Sequence, residues 1–337
     1  MIKKIFNVNL EHRPAIIAEI GLNHEGSIDK AYELISLAKE GGADAVKFQF
    51  FTPNRYVTMS QHERFNQVSK FSLDKSDFFS IHNYSKKEGI PFFATPLTED
   101  WVEIISKNCE AVKIASGDLT FKPTLKKCVE SAKKIILSTG ASDTKEIKNT
   151  LNYIKRKRKN ISDYLLLMHC VSAYPTPKEE INLNSIRFLS DKFKVSVGYS
   201  NHIKNIEVCF YSFLFGSKVI EVHFTDKDKN RKFRDHSLSF TKNDVRTLKN
   251  KIEDNLNLLG NFEKKIQKSE RNNRKLIRKG IVAAKDLKPE SIIKKSDLKY
   301  ARPSNHFSSE KLKDILGKKV RNFIPENFLI KKKDLDK

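Results

Sequence analysis

The sequence predicts an α/β protein, a (β/α)8 TIM barrel followed by a small C-terminal unit, on three observations. Eight short, β-rich apolar runs alternate with helical patterns as far as residue 224, which is how βα units read. Every run carries a polar or charged residue at or near its C-terminal end, and barrel enzymes place their chemistry at the C-terminal ends of the strands. After residue 260 the pattern changes to a charged stretch and then to short apolar pieces.

The runs are AIIAEI (15–20), AVKFQF (45–50), PFFATP (91–96), AVKIAS (111–116), KIILST (134–139), YLLLMHC (164–170), KVSVGYS (194–200) and KVIEVHF (218–224). Between the first two, Ile28, Ala31, Leu34, Ile35 and Ala38 make one apolar helix face that Gly41 and Gly42 end. Residues 1–260 are therefore the expected barrel and the charged segment 261–275 a linker. Residues 276–337 form a second unit whose core is expected to be thin and to lean on another surface.

Composition narrows the class. No run reaches the roughly 18 apolar residues that span a bilayer, and MIKKIFNVNLEHRP lacks the apolar core of a secretory signal, so a cytoplasmic protein without membrane association is expected. Cys109, Cys128, Cys170 and Cys209 are widely spaced and read as reduced thiols rather than a disulfide framework or zinc cluster. The net charge of +23 admits nucleic acid or an anionic substrate as partner. The lysine-rich stretches lack interleaved aromatic residues, which favours solvated surface over a nucleic-acid site.

Lys113 stands in an otherwise apolar run, and burying an unpaired ammonium costs several kcal/mol or more. It needs an anion or a carboxylate; Glu19 and Asp118 are the carboxylates weighed as partners. Lys47 and Lys113 with the hydroxyls of Thr95, Ser116, Ser138 and Ser200 make an oxyanion cradle suited to phosphate. His202 and His223 end neighbouring strands and can share one labile divalent ion, Mn²⁺, Mg²⁺ or Co²⁺, acting as a Lewis acid. A strand-end histidine held by ordinary hydrogen bonds is the plainer alternative.

The stretches AEIGLNHEGS, GADAVKFQ, KIASGD, ILSTG, HCVSAYPTP, VGYSNH, EVHFT and RDHSLS, followed by VAAKDL and ARP, run in order over about the whole chain. With them the sequence resembles the sialic acid (N-acetylneuraminate) synthases, and its C-terminal unit resembles that family's antifreeze-like (SAF) domain. The resemblance implies condensation of phosphoenolpyruvate with N-acetylmannosamine, or with the related precursor of legionaminic or pseudaminic acid, giving a nine-carbon 2-keto acid and phosphate. It also implies that Lys47, Thr95, Lys113, Ser116, Ser138 and Ser200 hold phosphoenolpyruvate. His202 and His223 are implied to bind the metal, Mn²⁺ first, and Gln49, Tyr174, Asp235 and Arg302 to contact the sugar. Glu19 is the expected general base or proton relay, with electrostatic balance as its alternative role. Arg302 lies in the C-terminal unit, which in this family covers the other subunit's site, so a domain-swapped homodimer is expected.

The sequence departs from the family where Asn201 replaces an aspartate, at KFRDH (232–236) and at RPSNH (302–306). These changes touch the sugar side more than the phosphoenolpyruvate side, and Asn201 also bears on the surroundings of the expected metal. His236, beside Asp235, is a second candidate ligand. A non-catalytic basic binding protein is the reading from a different class.

Overall fold

A computed structural model describes residues 1–227, 233–260 and 263–336, with the side chain of Arg234 outside the description. The chain forms two compact units, Met1–Gly260 and Asn261–Lys337. The first opens with a hairpin that the apolar pattern does not predict, β1 (Lys4–Ile5) paired with β2 (Val8–Asn9). Its turn residues Phe6 and Asn7 have φ of 48° and 65°, a conformation usually signalled by Asn-Gly, so nothing in KIFNVN announces it. The buried Phe6 ring lies 4.6 Å from that of Phe93. The hairpin region also meets Glu110, Ser196 and Lys218, each at the start of a barrel strand, which places it at the N-terminal end of the barrel.

Eight parallel strands close the barrel: β3 (Ala15–Gly21), β4 (Ala45–Phe50), β5 (Phe92–Pro96), β6 (Ala111–Ile114), β7 (Lys134–Ser138), β8 (Leu165–His169), β9 (Ser196–Asn201) and β10 (Val219–His223), with β10 returning to pair with β3. Each falls on one of the eight apolar runs. Helices cover the strands because their apolar stripes have nowhere else to go. In Ile28–Gly41, Ala31, Leu34, Ile35 and Ala38 are buried, Ser27 Oγ accepts from the Lys30 N–H, and Gly42 ends the helix at φ 86°. Capping boxes start Lys75–Glu88 at Asp74 and Thr144–Lys157 at Asp143.

Strand register levels the site. His223 pairs with Glu19, Glu19 with Lys47, Gln49 with Thr95, and Ser200 with Glu221. Alternation along β4 sends Val46 and Phe48 into the hydrophobic core while Lys47 and Gln49 face a cavity.

The second unit pairs β11 (Gly280–Ala283) antiparallel with β12 (Leu298–Ala301) and buries a cluster of its own, including Ile281, Leu287, Ile315, Val320 and Ile330. Of the segment expected as a linker, residues 261 and 262 lie outside the described residues. The rest runs into a helix, Glu270–Ile277, with no buried residue. Its polar residues conceal the helix, which buries no apolar stripe among the described residues. Among the described residues no helix is long and apolar enough to cross a membrane.

Candidate active site

One cavity of about 200 Å³ sits among the strand ends of the barrel. Of the thirteen residues singled out from the sequence, all but Arg302 line it; Arg302 belongs to the second unit. Lys113, with a side chain 4 % exposed, gives its ammonium to Glu221, at 2.7 Å from Oε1 and 2.9 Å from Oε2. The carboxylate that answers Lys113 is thus neither Glu19 nor Asp118. Glu19 instead lies 2.7 Å from Lys47 Nζ and accepts a 2.7 Å hydrogen bond from the Gln49 amide. Burial raises the Asp118 carboxyl to about 6.

Lys47 also donates to Thr95 Oγ1 at 3.0 Å and stands 3.8 Å from Glu221, while Ser200 donates to Glu221 at 2.9 Å. Burial favours neutral forms at both ends of the Lys113–Glu221 pair. The two lysines outweigh burial at Glu221 and hold its carboxylate below the usual range, whereas burial leaves Lys113 lowered despite Glu221. We take the pair as ionic at neutral pH, since each charge has its partner within 3 Å.

Ser116 Oγ accepts from the Gly140 N–H at 3.1 Å and meets Cys170 Sγ at 3.3 Å. A Cβ at Gly140 would come within 2.4 Å of Ser172 Oγ and 2.8 Å of Ser116 Oγ, so only glycine lets these hydroxyls close on the cavity. All four cysteines are free and buried.

The His202 and His223 rings lie 5.6 Å apart, with Tyr174 4.2 Å from His202. His202 Nδ1 is 2.6 Å from the Val171 carbonyl, which only accepts, so Nδ1 carries the proton and Nε2 keeps its lone pair, with Ser200 Oγ at 3.5 Å. Burial, then the neighbouring His223, lowers His202 to about 3, leaving it neutral. His223 Nδ1 is buried without a hydrogen-bond partner, 3.9 Å from Asp235. Two imidazoles, one with its lone pair weakly engaged and one with an orphaned nitrogen, fit a divalent ion that keeps further positions for water or substrate. No group of three His, Cys, Asp or Glu is arranged for a metal among the described residues.

His236, the second candidate ligand, is corrected by its bonding, and Asn201 and His169 are likewise held by hydrogen bonds of their own. His236 has both ring nitrogens engaged, with Thr225 at 2.7 Å and Glu25 at 3.0 Å, and does not line the cavity. Asn201 donates to the Ile203 carbonyl at 2.5 Å and accepts from Tyr199. His169, which closes its strand, is held by the Ile181 carbonyl at 2.8 Å. Of the stretch 232–236, residue 232 lies outside the described residues.

Two further charged residues, neither singled out as a site residue from the sequence, reach the cavity. Glu221 precedes His223 by two positions, and strand alternation sends both to the same face, a usable signal. Arg64 comes from the helix His62–Phe71 after β4 and bonds only Gln67, at 2.8 Å, among the described residues. Tyr56, Leu22, Leu97 and Phe233 make an apolar wall on the same cavity.

Nearby His24 is buried, its Nδ1 accepting from the Gly26 N–H at 3.1 Å, and burial lowers it to about 4. Between the unfolded value near 6.5 and 4, the unfolded chain binds a proton that the folded chain refuses. The stability is therefore complete above pH 6.5 and is lost as pH falls, by up to about 3 kcal/mol. Urea unfolding should show the stability gap between wild type and His24→Gln narrowing by that order from pH 7.5 to 4.5. A gap independent of pH counts against it.

A closed barrel with a two-lysine, hydroxyl-lined cavity at its strand ends defines an enzyme that handles an anionic substrate. The NeuB family model matches residues 34–264 and the SAF domain model residues 278–336, and the chain belongs to the NeuB family. It is an enzyme, a phosphoenolpyruvate-dependent transferase of the nonulosonic acid synthase type. It is 38 % identical to an uncharacterized protein of Methanocaldococcus jannaschii over 95 % of this chain and 94 % of that one. It is 35 % identical to the N,N'-diacetyllegionaminic acid synthase of Campylobacter jejuni, over 94 % of this chain and 98 % of the relative. Among solved structures it resembles the N-acetylneuraminic acid (sialic acid) synthetase of Leptospira borgpetersenii serovar Hardjo-bovis in complex with citrate. That likeness has a TM-score of 0.73 and 30 % identity, over 78 % of this chain and 91 % of that one.

Proposed function

We propose that the chain condenses phosphoenolpyruvate with the open-chain aldehyde of an N-acylated mannosamine-type sugar. C3 of phosphoenolpyruvate forms the new bond to the aldehyde carbon, water adds at C2, and phosphate leaves with C–O cleavage, giving a nine-carbon 2-keto acid. The observation that carries this reading is the convergence of Lys47 and Lys113 with Thr95, Ser116, Ser138 and Ser200 on one cavity beside two imidazoles. The lysines neutralise the phosphate and carboxylate, and the hydroxyls direct hydrogen bonds to their oxygens. Glu19, bridged between Lys47 and Gln49, takes or relays a proton in this reading, or balances the lysine. His202 and His223 are the residues that would hold a divalent ion, whose chemistry is Lewis-acid polarisation of a carbonyl oxygen.

Two acceptors fit, N-acetylmannosamine and a sugar with a second N-acetyl group. The apolar wall of Leu22, Leu97, Phe233 and Tyr56, with the Arg64 guanidinium beside it, favours the second, because it offers a surface for a methyl and donors for a carbonyl. The likeness to a diacetyllegionaminic acid synthase supports the same choice. Phosphate release from phosphoenolpyruvate and Mn²⁺ with both sugars tests it. Release with neither overturns the condensation, and preference for N-acetylmannosamine overturns the second acceptor.

The active form is proposed to be a homodimer in which Arg302 serves the partner's cavity. Its guanidinium offers paired hydrogen bonds that a lysine does not reproduce. Mixing inactive Glu19→Ala with inactive Arg302→Ala under subunit exchange should restore activity, since one site of each heterodimer is then intact. No recovery, with heterodimers demonstrated by mass spectrometry, rules the exchange out.

A further inference from the structure

The excess positive charge is unevenly placed. Residues 261–337 hold 23 of the 64 Lys and Arg residues but only 10 of the 41 Asp and Glu, a net of +13 out of +23. Within that unit a cavity of about 420 Å³ gathers Arg274, Lys275, Arg278 and Lys279. None of these four is ion-paired among the described residues. Four carboxylates of the unit are paired with other cations: Asp297 with Lys285, Glu326 with Lys299, Glu290 with Lys319 and Asp336 with Arg321. Glu310 lines the same cavity, one negative charge against four positive.

The frame is fixed by backbone bonds. The Ser304 N–H donates to the Lys275 carbonyl at 2.8 Å, Ile281 to Phe307 at 2.9 Å, and Ser309 to Lys279 at 3.2 Å. A Cβ at Gly280 would stand 2.5 Å from the Pro303 carbonyl oxygen, so glycine permits the loop to lie this close. Ser308 and Ser309 also line this cavity. Four like charges crowded in one concavity repel one another, and a bound anion relieves that repulsion while taking charge-assisted hydrogen bonds.

We propose that this cavity of the C-terminal unit is a second anion site, which binds a small phosphate-bearing molecule. Its concave shape and hydroxyl donors suit a compact phosphate. No aromatic side chain lines it, so the stacking platform that single-stranded nucleic acid uses is missing among the described residues.

The probe is inorganic pyrophosphate, titrated calorimetrically into the full-length protein. Arg274→Ser with Arg278→Ser should remove one binding site present in the wild type, or weaken it at least about tenfold, while the KM for phosphoenolpyruvate stays within about twofold. Arg274→Lys with Arg278→Lys keeps the charge and should keep the site, separating loss of charge from loss of folding. An equal number of sites, with equal affinity, in wild type and serine variant overturns the proposal. So does salt-sensitive binding of a single-stranded oligonucleotide at this surface with no pyrophosphate site, which would make it a polyanion surface. A failure of the barrel reading would show instead as phosphoenolpyruvate binding indifferent to Lys113→Ala.

Discussion

Removing the Lys113 ammonium is expected to abolish phosphoenolpyruvate binding, raising its Kd by roughly a thousandfold or more. Two effects add. The anion loses its buried counter-charge, and Glu221, freed of its partner at 2.7 Å and left with Lys47 at 3.8 Å, presents more of its negative charge to the same cavity. Breaking a buried pair at one end costs about 3–5 kcal/mol, a large part of the roughly 5–15 kcal/mol that keeps a domain folded. Lys113→Ala is therefore best read beside Lys113→Met with Glu221→Leu, which removes both charges and keeps apolar volume. Calorimetry should find the double variant folded and still unable to bind phosphoenolpyruvate. Near-native affinity there would mean that the ammonium is no counter-charge for the substrate.

The same pair shows how much of the site is legible in the sequence. A lysine inside AVKIAS announces that a partner exists, because no strand buries an unmatched ammonium cheaply. It does not announce which one, since Glu221 lies 108 residues away and meets Lys113 only when β10 closes the barrel beside β3. Alternation gives half the answer: if His223 faces the cavity, so does Glu221. The eight strands are readable because apolar runs recur with polar ends. The hairpin at Lys4–Asn9 is not, since two-residue strands leave no periodicity. Arg64 sits on a helix whose orientation is set by packing against Phe51 and Phe233 neighbours, which no local pattern records. His236 misleads because a histidine beside an aspartate looks like a ligand until both of its nitrogens are seen to be bonded.

Chelation is expected to stop turnover, and Mn²⁺ to restore it. The argument rests on which imidazole nitrogens are uncommitted. The Val171 carbonyl fixes the proton of His202 on Nδ1, leaving Nε2 as a base, and burial keeps the ring in the neutral form that binds metals. His223 Nδ1 is buried with no hydrogen-bond partner, a cost of about 1–3 kcal/mol that a bound ion would offset. His223→Ala should then weaken Mn²⁺ binding at least about tenfold, measured on the protein alone by paramagnetic resonance of the free ion. Turnover should fall with it at micromolar metal and recover in part at millimolar metal, the pattern of a lost ligand rather than a lost fold. Full activity after exhaustive chelation, or undiminished Mn²⁺ binding by His223→Ala, would leave the two histidines as hydrogen-bonding walls of the cavity and nothing more.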